Sequence, residues 1–173
     1  MRLLSLLLLA FSALSANVEL PENFQADFIQ KITNTKEKVI TYRGKVRFSN
    51  ETLFKWNYKE PTQKEVCTNG LELLVVDHDL EQVSAYRISN GIDIAKILKK
   101  AKSYSKNIYV AEYENKKYTI QVDTKQKLHS IAYFDDLDNK VQLLFKHMKY
   151  GKGNLPTQNM KCNYPKNYDM IQG

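Results

Sequence analysis

Few residues in this chain have the types and spacing that chemistry demands. His78, His129 and His147 are isolated, and no His/Cys/Asp/Glu set has metal-ligand spacing. Scattered histidines of this kind read as structural or surface groups. The run Asp135-Asp136-Leu137-Asp138-Asn139 looks like a calcium loop only in its density. Counted from Asp136, Lys140 takes the fifth position and the sixth lacks glycine, so an acidic hairpin turn is the better reading. There is no Gly-x-Ser-x-Gly, and the six glycines form no phosphate-cradling loop. A Ser/His/Asp set can be assembled on paper, but no spacing selects one. These features argue for a binding protein over an enzyme, and no metal or cofactor is expected.

What could bind is aromatic. Phe54, Trp56 and Tyr58 alternate with Lys55, Asn57 and Lys59, so one face of an extended strand is aromatic and the other polar. Phe24, Ala26, Phe28 and Gln30 share a face in the same way. A helix over 92–101 places Ile94, Ile97, Leu98 and Ala101 at i, i+3, i+4 and i+7, with lysines late, where they suit the helix dipole. Such a helix could cap a curved sheet whose aromatic faces turn inward. A ligand-holding apolar cavity and a core-filled barrel share this alternation, so periodicity leaves both open.

The elements that must position these residues are strands. Val39 to Phe48 is β-branched and aromatic-rich, with Gly44 marking a bulge or sharp curvature. Strands over 53–59, 64–68, 71–76 and 80–88 follow, and Asn69-Gly70 suits a two-residue type I′ hairpin. After Ser89-Asn90-Gly91 and the helix, strands resume over 107–113, 117–123, 128–134 and 141–150. Loops of hairpin length imply an antiparallel meander, mainly β, of about 10–11 strands that curls toward a barrel. The tail beyond Gly151 is turn-rich and carries little periodicity.

The chain has 173 residues, 43% hydrophobic and 26% charged, which suits one soluble domain. Met1-Arg2, an apolar run to Leu14 and small residues at Ala13 to Ala16 read as a secretory signal over 1–16, leaving 17–173 as a single domain. Cleavage after Ser15 or Ala16 leaves no cysteine at the new N-terminus, so no lipid is attached there. In an oxidising compartment Cys67 and Cys162 suit one disulfide, with two buried free thiols as the competing reading. Such a bridge would close about 95 residues and be worth about 4–5 kcal/mol in the chain-entropy model. The net charge of +7 comes from lysines spread along the chain, often alternating with apolar residues. No Arg-rich tract or stacking-aromatic module accompanies it, so nucleic acid is not an expected partner. The charge supports a weak attraction to acidic partners or anionic headgroups.

Taken in order, several of these residues resemble the periplasmic outer-membrane lipoprotein carrier family, LolA. The set is Phe24-x-Ala26-x-Phe28-x-Gln30, Gly44, Phe54-Lys55-Trp56-x-Tyr58-x-x-Pro61, Asn69-Gly70, Asp77, Leu80-x-Gln82-Val83, Asp138-Asn139 and Pro165 with Asp169-x-Ile171. The resemblance implies a half-open antiparallel β-barrel with a helical lid and an apolar cavity for acyl chains. It implies a periplasmic monomer that takes acylated lipoproteins from an inner-membrane ABC lipoprotein-releasing transporter and yields them to an outer-membrane acceptor lipoprotein, with no bond made or broken. The cargo-binding candidates are Phe28, Phe54, Trp56, Tyr58, Leu74 and Val76, with Ile94, Ile97 and Leu98 from the lid. Another amphiphile, a phospholipid or glycolipid, on the same barrel is the alternative. Two departures stand out. Only a few residues separate Ala16 from Phe24, so the family's first lid helix is missing. Asn50-Glu51 replaces an Arg-Pro whose arginine is implied to hold the lid, so that role is dropped or passes to Arg43, Arg47 or Lys55.

Overall fold

A computed structural model describes Val18 and residues 20–68, 71–87 and 94–172. The signal expected over 1–16, the Asn69-Gly70 turn, the turn at 89–91 and the first two residues of the expected helix lie outside the described residues.

Alternating sequence becomes strand almost throughout. The strands are β1 (Asn23–Thr33), β2 (Val39–Ser49), β3 (Leu53–Glu60), β4 (Lys64–Thr68), β5 (Glu72–Asp77), β6 (Gln82–Arg87), β7 (Lys102–Ser105), β8 (Ile108–Tyr113), β9 (Lys116–Val122), β10 (Leu128–Phe134), β11 (Lys140–Gly151) and β12 (Asp169–Gln172). Helix α1 (Ile94–Lys99) lies between β6 and β7. All twelve strands join one sheet in the order β12-β6-β5-β4-β3-β2-β1-β11-β10-β9-β8-β7. The order starts at β12 and ends at β7, so the barrel is open. β1 occupies its middle, between β2 and β11.

Four expectations need correction. The 102–105 strand was not foreseen: all four of its residues are exposed, so burial imposes no period on Lys-Ser-Tyr-Ser. β12 was not foreseen either, and it pairs parallel to β6, so the sheet is not wholly antiparallel. The helix is shorter than expected and ends at Lys99. The strand expected to start at Leu80 starts at Gln82, because 78–81 is a turn in which Leu80 is 63% exposed and Glu81 takes a φ of 54°.

One core cluster gathers Phe24, Phe28, Phe48 and Phe54 from the β1–β3 wing, Tyr109, Tyr118, Ile120 and Ile131 from the β8–β10 wing, and Ile94, Ile97 and Leu98 from α1. Both wings of the sheet therefore fold about the helix. On the other, convex face the C-terminal segment runs across the strands like a strap. Asn23 Nδ2 donates to the Gly153 carbonyl (2.7 Å), the Leu155 N–H to Ser49 Oγ (2.9 Å), and Lys55 Nζ to the Lys161 carbonyl (2.6 Å). Cys67 and Cys162 are joined, with Cα atoms 5.7 Å apart. The Asn163 N–H then donates to Glu65 (2.9 Å), and β12 extends the edge of β6.

Candidate functional site

Cross-strand register assembles the concave wall row by row. Tyr150, Phe24, Phe48 and Phe54 face one another on β11, β1, β2 and β3. The next row holds Ala26, Val46, Trp56, Val66 and Val75. The third holds Phe145, Phe28, Gly44 and Tyr58. Directly opposed side chains in such rows touch, which is why the alternation in β1 and β3 becomes one continuous aromatic surface.

The rings interlock. Phe48 lies 4.8 Å from Phe54 and 5.1 Å from Phe24, centroid to centroid. Phe28 meets Trp56 edge-on at 4.9 Å and Tyr58 at 5.0 Å. Trp56 reaches across to Phe145 at 6.4 Å. Gly44 makes the third row possible, since a Cβ there would stand 1.9 Å from the Asn57 carbonyl oxygen and 2.9 Å from the Phe28 ring. The register shift beside it, between Arg43 and Gly44, is the irregularity expected of this glycine. Tyr58 donates to Gln30 Oε1 at 3.1 Å, and burial, with Tyr42 beside it, pushes its hydroxyl up to about 12. The wall therefore carries no charge at neutral pH from this group.

α1 lies against this wall. Ile94, Ile97 and Leu98 are 2%, 0% and 1% exposed, whereas Trp56 and Tyr58 are only partly buried at its margin. The concave side at the level of Phe54 is thus packed by the helix. Lys99 Nζ lies 2.5 Å from Glu51 Oε2, and Lys100 sits over the Tyr113 ring at 5.1 Å. The basic residues expected to hold the lid do not do so. Arg43 pairs with Glu60 at 3.8 Å, Arg47 donates to the Asn159 carbonyl at 3.4 Å, and Lys55 lies 2.9 Å from Glu65, all on the convex face. The residue that meets the helix is Glu51 itself, so acid and base have exchanged sides.

Seven of the nine residues read as cargo-binding from the sequence lie in this concave assembly: Phe28, Phe54, Trp56, Tyr58, Ile94, Ile97 and Leu98. Leu74 and Val76 do not. They pair with Cys67 and Glu65, on the face that carries Lys55 and Asn57. Val76 is buried with Cys67, Val83 and Met160, outside the main core cluster. The run Leu71 to Val76 is almost continuously apolar, so it has no phase of its own, and a one-residue slip exchanges its faces. The expected hairpin turn implies a phase. A two-residue turn at 69–70 would pair Thr68 with Leu71 and set odd-numbered β5 residues on the side of Val66 and Trp56. The observed partner of Thr68 is Leu73, which keeps that parity and puts Leu73 and Val75 on the wall.

The polar groups gather elsewhere. A cleft lined by Asn57, Lys59, Gln63, Lys64, Glu65 and His78 opens beside Tyr58, with His78 Nδ1 3.2 Å from the Tyr168 hydroxyl. Its chemistry does not suit an apolar ligand. Among the described residues, Glu65, Cys67 and Cys162 form a close group of metal-ligand types, but both sulfurs are committed to the disulfide.

An unclosed sheet whose apolar concave face is stopped by a short helix defines a half-open barrel of the carrier type. The family described as "Outer membrane lipoprotein carrier protein LolA" matches residues 20–135, and the chain belongs to it. The outer-membrane lipoprotein carrier protein of Wolinella succinogenes is 32% identical over 145 residues, covering 83% of this chain and 84% of its own. That of Campylobacter jejuni is 33% identical over 150 residues, 86% of each chain. Among solved structures, an uncharacterised conserved protein from Thermus thermophilus superposes with a TM-score of 0.57 at 12% identity, covering 89% of this chain and 92% of its own. A LolA superfamily protein from Nitrosomonas europaea does so with a TM-score of 0.51 at 12% identity, covering 84% and 93%. Likenesses at that identity speak to the fold alone.

Proposed function

We propose that this protein is a periplasmic chaperone that shields the acyl chains of lipoproteins and carries them to the outer membrane. The observation that carries the reading is the aromatic concave wall of an unclosed barrel, occupied by a six-residue helix, in a chain of this family. Cargo arrives from an inner-membrane ABC transporter and leaves to an acceptor lipoprotein at the outer membrane. The chemistry is desolvation only, and no bond is made.

Energetics explain how cargo enters. Burial of three large aliphatic side chains holds α1 in place by about 5–9 kcal/mol at most. One acyl chain of about 16 carbons gains about 12 kcal/mol on leaving water, at about 0.8 kcal/mol per CH₂. Once the transporter has drawn an acyl chain out of the bilayer, that gain is enough to displace the helix, and the exposed Lys99–Glu51 pair, worth about 1 kcal/mol or less, opposes it little. Release needs only an acceptor that binds the chains better than the wall does. Phe28, Phe54, Trp56 and Tyr58 form the contact surface in this scheme, and Ile94, Ile97 and Leu98 stand in for cargo when it is absent.

The test is recovery of the protein from the periplasm and intact-complex mass spectrometry. An acylated lipoprotein in a one-to-one complex is expected, and its consistent absence overturns the reading. Trp56→Glu puts an unpaired charge on the acyl surface and is expected to lower cargo recovery at least about tenfold while the Cys67–Cys162 bridge still forms.

A further inference from the structure

Some of the lysines spread along the sequence come together on one face of the sheet. Strand alternation, which turns Phe24, Phe28, Trp56 and Tyr58 inward, turns their neighbours outward. On the convex face of β11, β1, β2 and β3, Asp27 faces Lys45 and Lys146, Ile29 faces Arg43, and Gln25 faces Lys149. Lys31 lies one row further, Lys59 follows Lys55 and Asn57 on this side by alternation, and the bulge in β3 brings Glu60 opposite Arg43. Lys31, Arg43, Lys45, Lys59, Lys146 and Lys149 are all exposed.

The acids on this face are engaged. Asp27 lies 2.7 Å from His147 Nδ1, and Glu60 lies 3.8 Å from Arg43. The His147 hydrogen bond holds the Asp27 carboxyl below its usual range, and Lys45 and Lys59 are close enough to add to that. Strands about 4.8 Å apart set neighbouring cations well within a Debye length of about 8–10 Å, so their fields sum. The strap leaves most of this region open: its contacts fall at Asn23, Arg47, Ser49, Lys55, Glu65 and Cys67, and only Arg47 shares a row with one of these cations, Lys149. The last convex row carries Val39 and Phe134, 56% and 61% exposed, on either side of Thr33 and Lys140. Beyond it the turns bear Glu37, Asp136 and Asp138, so the positive field belongs to the strands and not to the hairpin tips.

From this juxtaposition we infer that the convex face of β11, β1, β2 and β3 is a docking surface for an anionic lipid bilayer. Its occupant is named by its chemistry. The basic centre has no exposed aromatic or methionine of the kind that anchors a protein interface. Lysines on flexible stems, arrayed on a broad sheet, suit the diffuse layer of lipid phosphates, and the apolar row at the margin suits the headgroup boundary. The surface lies on the opposite side of the sheet from the cargo wall, so docking leaves the wall free to face another protein. It stands independently of the cargo reading.

The test is sedimentation of the periplasmic protein with lipoprotein-free vesicles. Vesicles with about a quarter phosphatidylglycerol in phosphatidylcholine are expected to bind, and pure phosphatidylcholine vesicles are not. Binding should fall more than tenfold as salt rises from about 30 to about 300 mM. Each cation near such a surface is worth about fivefold, so Lys45→Glu with Lys146→Glu should weaken binding by tenfold or more. Lys31→Glu with Lys149→Glu should do the same, which guards against a local fold defect in the first pair. Lys125→Glu, on the turn at 123–127 and outside this face, should bind as the native chain does. Equal binding to both vesicles, or anionic binding unmoved by both double variants, overturns the inference. So does binding only to native inner-membrane vesicles that protease treatment abolishes, since the face would then serve an acidic protein.

Discussion

At the scale of single residues, phase matters more than hydrophobicity. Leu74 and Val75 are adjacent aliphatic residues on β5, yet they belong to different surfaces. Val75 pairs with Val66 in the Trp56 row, and Leu74 pairs with Cys67 beneath the strap, its carbonyl 3.9 Å from Cys162 Sγ. Glutamate at these two positions should therefore separate two phenotypes. Val75→Glu places a charge at the margin of the proposed acyl surface and is expected to lower cargo recovery several-fold with little change in melting temperature. Leu74→Glu is expected to cost about 1–3 kcal/mol in denaturant unfolding, through lost packing and a charge set against the strap, with cargo recovery maintained in the folded fraction. Reversed phenotypes would contradict the register.

At the scale of elements, the strap is the feature with the greatest leverage. It crosses β1 to β6, closes over Cys67, Val76 and Val83 with its own Met160 buried, and ends as the strand that extends β6. β12 is four residues long, with Met170 60% exposed, so its own packing contributes little. Its place depends on the segment before it, and hence on the covalent link at Cys162. The bridge closes 95 residues, which the chain-entropy model equates with about 4–5 kcal/mol. Cys67→Ser with Cys162→Ser is expected to lose about that much in denaturant unfolding and to remove hydrogen-exchange protection from β12 before β1 or β2 loosens. Uniform loss of protection would show that the strap and the sheet are one cooperative unit. The same dependence explains why β12 was not legible in the sequence: Asp-Met-Ile-Gln has no pattern of its own and is a strand because the strap delivers it to the edge of β6. β1 to β3 and β8 to β11 were legible, because one buried face writes a period of two into each. The aromatic wall was legible for the same reason. The phase of β5 was legible only through the parity set by the turn after Thr68, not in its own apolar run, and the exchange of acid and base at Glu51 and Lys99 was not legible, since it joins residues 48 apart.

For the molecule as a whole, turn chemistry and surface charge together predict weakness to acid. Asp77, Asp123 and Asp135 each accept backbone N–H groups at a turn: Asp77 from Asp79 and Leu80, Asp123 from Lys125 and Lys127, and Asp135 from Leu137 and Asn139. At Asp77 burial opposes ionisation, but the Lys64 ammonium at 2.7 Å and the two turn N–H groups outweigh it, so the carboxyl lies below its ordinary 3.8. Asp123 is lowered chiefly by the Lys127 N–H. At Asp135 the Asn139 side chain and the N–H groups of Asn139 and Leu137 overcome burial. Each group therefore takes up its proton more readily in the unfolded chain than in the folded one. Their contribution to stability is complete above the unfolded value near 3.8 and is lost as pH falls through the lower folded values. Over the same range the chain moves up from its formal +7, and the crowded cations of the convex face lose their carboxylate neighbours. The melting temperature should be nearly level from about pH 7 to about pH 5 and fall steeply below about pH 4, less steeply in high salt. Asp77→Asn keeps an amide oxygen for the turn but cannot ionise. It is expected to lower the melting temperature at neutral pH and to flatten the acid limb, because one proton fewer is taken up on unfolding. An acid limb as steep in Asp77→Asn as in the native chain would remove the Lys64–Asp77 pair from the account and leave the fall to the other carboxylates.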